Sequence, residues 1–128
     1  MIKIGVKKQT NYPVSSVKIR DSLKEFLVSN GIVSDAEVSV TLLGKQKMLQ
    51  VGRKYLKDSK LHNVLSFTYD ESDPKFIYPP DGVIHLGEII VCYPLVVEEA
   101  KSQGRLIDEK VIELVKHGAL HLMGIHHE

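Results

Sequence analysis

The sequence predicts a single α+β domain, residues 1–128, in which helices pack against a small mixed β-sheet. Three observations predict this fold class. The chain has 128 residues, 43% hydrophobic and 26% charged, which is the size and composition of one ordinary folded domain. Runs with strand-like alternation are interleaved with runs of helical spacing, in the order βαβαββαα. No repeat, linker or low-complexity tract divides the sequence.

The chain opens with a predicted strand and a predicted helix. Residues 2–6 alternate apolar and polar side chains, as a half-buried strand does. Ser15 or Ser16 can cap the following helix, and Asn30-Gly31 ends it. The apolar residues of this helix that recur at helical spacing are Val17, Leu23, Phe26 and Leu27.

A second strand and a basic helix follow. Residues 37–43 place Val38, Val40 and Leu42 in alternation, which predicts a strand. Residues 45–56 are rich in lysine and are predicted to form a helix. Its inward-facing residues are expected to be Met48, Leu49 and Leu56.

The second half of the chain has two β-rich runs, residues 63–69 and 88–93. The acidic, proline-containing segment 70–81 between them is predicted to form a surface loop. Pro94 suits the first turn of a helix that Gly104 closes. The last helix is predicted from near Asp108 to Met123, with acidic residues at its positive end.

The charge of the chain is unevenly distributed. Residues 1–60 carry 12 Lys and Arg against 5 Asp and Glu, whereas residues 61–128 carry 5 against 11. Such asymmetry can mark a surface that faces a polyanion. The alternative interpretation is a lysine-rich helix face that is exposed to solvent. The residues of the basic run, which are the candidates for binding a polyanion, are Lys45, Lys47, Arg53, Lys54, Lys57 and Lys60.

Histidines cluster at the end of the chain. His117 and His121 are four residues apart, so on a helix they share one face and can reach a single ion. Gly124 can adopt the left-handed conformation that ends a helix and turns the chain back. That turn could bring His127 over the same face, although His126 is an alternative third ligand.

Three neutral imidazoles leave a zinc ion its full charge and one open coordination position, which is typical of catalytic sites. The terminal helix is therefore predicted to bind one Zn²⁺ through His117, His121 and His127. A related spacing in zinc proteases is His-Glu-x-x-His-x-x-Gly-x-x-His, in which the glutamate is the general base. Gly118 stands at that glutamate position. The histidines and the later glycine of the protease pattern are therefore present, but its general base is missing.

Three blocks of the sequence resemble those of the YbeY family, bacterial endoribonucleases that act in ribosomal RNA maturation. The first is His117-Gly118-x-Leu120-His121-Leu122-x-Gly124-x-x-His127. Residues 63–67, Asn-Val-Leu-Ser-Phe, and residues 87–92, Gly-Glu-Ile-Ile-Val-Cys, agree with the family in order and spacing. The resemblance implies the family's fold, a cytoplasmic location, and zinc ligation by His117, His121 and His127.

We therefore predict a zinc-dependent, single-strand-specific endoribonuclease that processes small-subunit ribosomal RNA during ribosome maturation. Zinc acidifies a coordinated water and offsets phosphate charge, and the basic run would hold the RNA backbone. The general base is not identified, and the weak candidates are Glu88 and Ser66. The expected partners are single-stranded ribosomal RNA and the ribosome or its small subunit, with no DNA.

The expected location is the cytoplasm, without a membrane partner. The first residues are too poor in apolar side chains for a signal peptide, and His85 and Glu88 interrupt the most apolar later stretch. The lone cysteine, Cys92, cannot form an internal disulfide and is expected in the core.

Two alternative functions remain open from the sequence. One is a zinc peptidase or amidase, in which another residue would have to replace the missing glutamate. The other is a non-catalytic ribosome assembly factor whose zinc is structural. Three ligands argue mildly against the second alternative, because structural zinc usually has four protein ligands.

Overall fold

The computed structural model describes residues 1–124. Its elements in chain order are β1 (Ile2–Lys8), α1 (Ser16–Ser29), β2 (Ala36–Leu43), α2 (Lys45–Val51), β3 (Val64–Phe67), α3 (Tyr69–Ser72), β4 (Ile84–Cys92), α4 (Tyr93–Gln103) and α5 (Ile107–Leu122). A π-helical turn, Gly52–Leu56, follows α2. Within residues 1–124, none of the helices combines the length and the apolar content that a membrane span requires.

The four strands form one mixed sheet in the order β1-β2-β4-β3. The β1–β2 and β2–β4 pairs are parallel, and the β3–β4 pair is antiparallel. The α+β class with a small mixed sheet is thus confirmed. The strands β1 and β3 lie at the two edges of the sheet.

Helices cover both faces of the sheet. On one face, residues such as Val40 and Ile89 pack with α1, α4 and α5 in the larger apolar core. On the other face, Phe67 and Ile90 pack with Met48 of α2. Cys92 is fully buried in this second cluster, as expected for a core cysteine.

The first helix begins as predicted but buries a different stripe of residues. Ser15 is the N-cap, and its Oγ accepts a hydrogen bond from the backbone N–H of Lys18 at 3.1 Å. The buried residues are Ile19, Leu23 and Leu27, whereas Val17 is 58% exposed. Val17 was wrongly expected in the core, because it lies about 200° around the helix from Ile19.

The predicted helix 45–56 is interrupted. It is α-helical to Val51 and then widens into the π-helical turn, which ends at Lys57 with a φ of 57°. Met48 is fully buried as predicted, but Leu56 is 43% exposed. The wider turn inserts an extra residue and so rotates Leu56 away from the inward face.

The remaining elements lie close to their predicted positions. Strand β4 begins at Ile84 rather than near Glu88, because its first residues pair with the start of β2. The acidic loop contains the short helix α3, which the sequence analysis missed. Gly104 closes α4 with a φ of 64°, and Gly124 follows α5 with a φ of 74°.

Candidate metal and RNA site

A groove of about 950 Å³ lies between α5 and the edge strand β3. Residues of β3 form one side, α5 forms the other, and Leu56 and Glu71 lie at its margins. We call it the histidine groove, because His117 and His121 both line it.

Gly118 allows α5 to approach the sheet closely. A Cβ on Gly118 would lie 2.9 Å from Cγ2 of Ile89 and 3.5 Å from Cβ of Ser66. The direction in which a side chain would point is therefore filled by the sheet. This position, where zinc proteases carry their glutamate, has no room for a carboxylate.

The two histidines of α5 are brought together as predicted. They are one helical turn apart, and both line the groove. Within residues 1–124, no cluster of three or more His, Cys, Asp or Glu side chains can hold a metal ion. His126 and His127 lie outside the described residues, so the third ligand stays a prediction. The two imidazoles described are a donor set that suits zinc.

Glu71 is a groove residue that the sequence analysis did not identify. Its Oε1 lies 3.5 Å from Nε2 of His121 and accepts hydrogen bonds from the backbone N–H and the hydroxyl of Thr68. Partial desolvation raises the pKa of Glu71, but the bonds from Thr68 and the nearby His121 outweigh it and lower the pKa overall. The capping-box spacing of Thr68 and Glu71 was the available signal.

The two general-base candidates lie on different faces of the sheet. Ser66 lies in the groove, beside Gly118. Glu88 pairs with Phe67, one residue before the buried Ile89. Because side chains alternate along a strand, Glu88 points to the face opposite α5, while Ile89 points towards α5. The fold therefore brings Ser66, and not Glu88, to the histidines.

The groove is electrostatically uneven along α5. Glu109 and Glu113 line one end, and His117 and His121 follow at four-residue spacing. Glu113 forms an ion pair with Arg105. Carboxylates therefore lie at both ends of the groove, because Glu71 is 3.5 Å from His121, and Lys116 lines the groove beside His117.

The basic run is split into two groups. Lys45 is ion-paired with Glu98 of α4 at 2.6 Å. Lys45 and Lys47 line a separate depression of about 580 Å³ with Tyr12 and Pro94. These two lysines do not line the histidine groove.

The second group is next to a groove residue in the chain. Arg53, Lys57 and Lys60 line a depression of about 500 Å³, and Leu56, next to Lys57, lines the groove. The Nζ of Lys54 lies 5.1 Å from the ring centroid of Tyr55. We call Arg53, Lys57 and Lys60, which line this depression together with Asp58, the proximal basic cluster.

A known protein family matches most of this chain. The family model described as Endoribonuclease YbeY matches residues 5–128. The chain belongs to the YbeY family. The resemblance found in the sequence is confirmed, and membership supports an endoribonuclease role.

Relatives and a solved structure agree with this membership. Endoribonuclease YbeY of Staphylococcus aureus strain JH9 is 32% identical over 111 residues, which cover 86% of this chain and 72% of the relative. The protein of strain Newman gives the same figures. The solution structure of TM1509 from Thermotoga maritima is 27% identical, with a TM-score of 0.59, and covers 100% of this chain and 75% of that one.

In this YbeY-family chain, two other histidines have structural contacts. The Nε2 of His62 lies 3.0 Å from the carboxylate of Asp58, which also accepts the backbone N–H of Lys60 at 3.2 Å. His85 bridges two carboxylates, with Nδ1 2.5 Å from Glu37 and Nε2 3.1 Å from Asp81. The hydrogen bonds to Glu37 and Asp81 raise the pKa of His85.

Proposed function

We propose that this YbeY-family protein is a zinc-dependent endoribonuclease that cleaves single-stranded RNA in the histidine groove. Its role would be the processing of small-subunit ribosomal RNA during ribosome maturation in the cytoplasm. The observation that carries the proposal is the pair His117 and His121, on one face of α5 in a large groove, in a chain of an endoribonuclease family.

One zinc ion would be held by His117 and His121, with His127 as the third ligand and His126 as the alternative. When bound, zinc acidifies a coordinated water and neutralises charge on the phosphodiester. The carboxylate of Glu71, which Thr68 holds in place, would lie beside the imidazole of His121 that binds the ion.

RNA would be held by its phosphates at the proximal basic cluster and would enter the groove beside Leu56. The scissile phosphate would lie at the histidine end, where a bound zinc ion would supply the positive charge that stabilises it. A single strand can bend its phosphate towards the histidines more readily than a duplex can.

The peptidase alternative is disfavoured at Gly118, because the sheet fills the space of the required carboxylate. Ser66 lies on the groove side of β3, and would contact the substrate rather than replace that base.

The test is cleavage of a labelled single-stranded RNA by the wild type, by His121→Ala and by His85→Ala as a matched control. The control removes a partly buried histidine outside the groove. We expect cleavage by the wild type and the control, and none by His121→Ala or in the presence of a chelator. Zinc-independent RNA binding without cleavage by any of the three would favour an assembly factor instead.

A further inference from the structure

The edge strand β3 presents its backbone to the histidine groove. Within the described sheet, β3 pairs with β4 on one side and has no strand on its other side. Val64, Leu65, Ser66 and Phe67 all line the groove. The free edge of a sheet carries N–H and C=O groups that can bind an extended ligand.

The strand register shows which backbone groups point outward. The N–H of Cys92 donates to the C=O of Asn63 at 2.9 Å, and the same register pairs Leu65 with Ile90 and Ser66 with Ile89. Hydrogen-bonded and non-hydrogen-bonded pairs alternate in an antiparallel ladder. Leu65 is therefore bonded to β4, whereas the backbone groups of Val64 and Ser66 point away from it.

These outward groups have an order that a nucleobase can match. The C=O of Val64 and the N–H of Ser66 flank Leu65, so an acceptor stands next to a donor along the edge. Among residues 1–124, neither group forms a backbone hydrogen bond across that edge. The Watson–Crick edge of each of the four bases likewise has a donor beside an acceptor, which proteins bind when the base is unpaired.

We propose that the C=O of Val64 and the N–H of Ser66 bind the Watson–Crick edge of an unpaired base, and that this contact selects single-stranded RNA. The inference rests on the proposed function and supplies its strand specificity. In a duplex the same base edge is already paired, so only an unpaired nucleotide can dock on β3.

The position of Ser66 connects this contact to the histidines. Its Cβ lies 3.5 Å from the place that a Cβ on Gly118 would occupy, and Gly118 directly follows His117. A base docked on Ser66 would therefore hold its own phosphate near the histidine end of the groove. The proximal basic cluster, whose Lys57 follows the groove residue Leu56 in the chain, favours a phosphate-bearing ligand over a peptide on this edge.

The experiment compares three labelled oligouridines: unmodified, 3-methyluridine and 5-methyluridine. The 3-methyl group blocks the N–H of the Watson–Crick edge, whereas the 5-methyl group lies elsewhere on the base and is the matched control. Binding is measured by fluorescence anisotropy with the wild-type protein at constant salt, and cleavage is measured in parallel. We expect 3-methylation to weaken binding about tenfold and 5-methylation to leave binding unchanged.

Each outcome decides a separate question. Equal affinity for all three RNAs would overturn the edge contact, even if all are cleaved and the proposed function stands. Weakened binding of 3-methyluridine RNA, without cleavage of any of the three RNAs, would support the edge contact and contradict the proposed function. Binding of an extended peptide, with no binding of any of the three RNAs, would assign the edge to a peptide and overturn the inference.

A pair of variants tests the same contact from the protein side. Ser66→Pro removes the outward N–H and leaves the β3–β4 hydrogen bonds intact, since proline is tolerated on the free side of an edge strand. Ser66→Ala removes the hydroxyl and keeps the N–H. We expect Ser66→Pro to bind unmodified RNA more weakly than Ser66→Ala does, because only the proline variant lacks the N–H that donates to the base. If Ser66→Pro does not fold by circular dichroism, the methylation series on the wild type decides.

Discussion

Gly118 of α5 packs directly on Ile89 of β4. A Cβ on Gly118 would come within 2.9 Å of Cγ2 of Ile89, closer than side-chain carbons pack. Ile89 is fully buried, so it has little freedom to move aside. This contact sets the distance between the helix that carries the histidines and the strands that face them.

Gly118→Ala should therefore destabilise the protein. Alanine favours a helix by about 1 kcal/mol over glycine, but overpacking a core costs about 1–3 kcal/mol. We expect a net loss of stability in urea unfolding followed by circular dichroism. In an Ile89→Ala background the same substitution should stabilise, because the clashing atoms are gone. A Gly118→Ala protein that is more stable than the wild type would contradict the close packing.

Zinc should raise the melting temperature of the wild type. At a concentration of 100 times its Kd, a ligand stabilises the folded state by about 2.7 kcal/mol, which corresponds to roughly 10 °C here. We expect this rise to disappear in His117→Ala and His121→Ala and to persist in His85→Ala. Differential scanning fluorimetry with and without a chelator measures it. The same rise in His121→Ala would place the zinc elsewhere.

The two groups of basic residues should differ in their effect on RNA binding. Replacing Arg53, Lys57 and Lys60 together by alanine should lower the slope of log affinity against log salt by about 0.7 for each lost phosphate contact. The double variant Lys45→Ala/Lys47→Ala is the control, because these lysines lie in a separate depression and Lys45 pairs with Glu98. Anisotropy titrations over a salt series provide the slopes. A larger change of slope in the Lys45→Ala/Lys47→Ala variant would assign the phosphate contacts to those two lysines instead.

His85 should make stability depend on pH. Its contacts with Glu37 and Asp81 raise its pKa in the folded state above 6.5, so the folded protein binds the proton more tightly than the unfolded chain. The resulting stabilisation is fully present below about pH 6.5 and is lost as the pH rises through the higher folded-state pKa. His85→Gln should therefore cost more stability at about pH 5.5 than at about pH 8.5. Urea unfolding at both pH values measures the difference, and an equal cost at both would refute the ion pairs.

Much of the fold was predictable because its signals are local. Ser15 caps α1, Gly104 closes α4, and the apolar alternation of β2 is that of a strand with one buried face. The errors concern residues whose burial depends on contacts between elements that are distant in the chain. Val17 has the apolar character of a core residue, but its angular position depends on which stripe of α1 meets the sheet. The exposure of Leu56 follows from a π-helical turn that no residue pattern indicated.

The sequence by itself determined that His117 and His121 share one face of a helix, because helix geometry fixes the direction of side chains four residues apart. Only the tertiary structure decided what faces them. The register of β3 against β4 put Ser66 in the groove and Glu88 on the far face, and the packing of α3 brought Glu71 to His121. The same packing separated Lys45 and Lys47 from the proximal basic cluster. These relationships join residues distant in the chain, and they depend on how whole elements pack rather than on the spacing within any one of them.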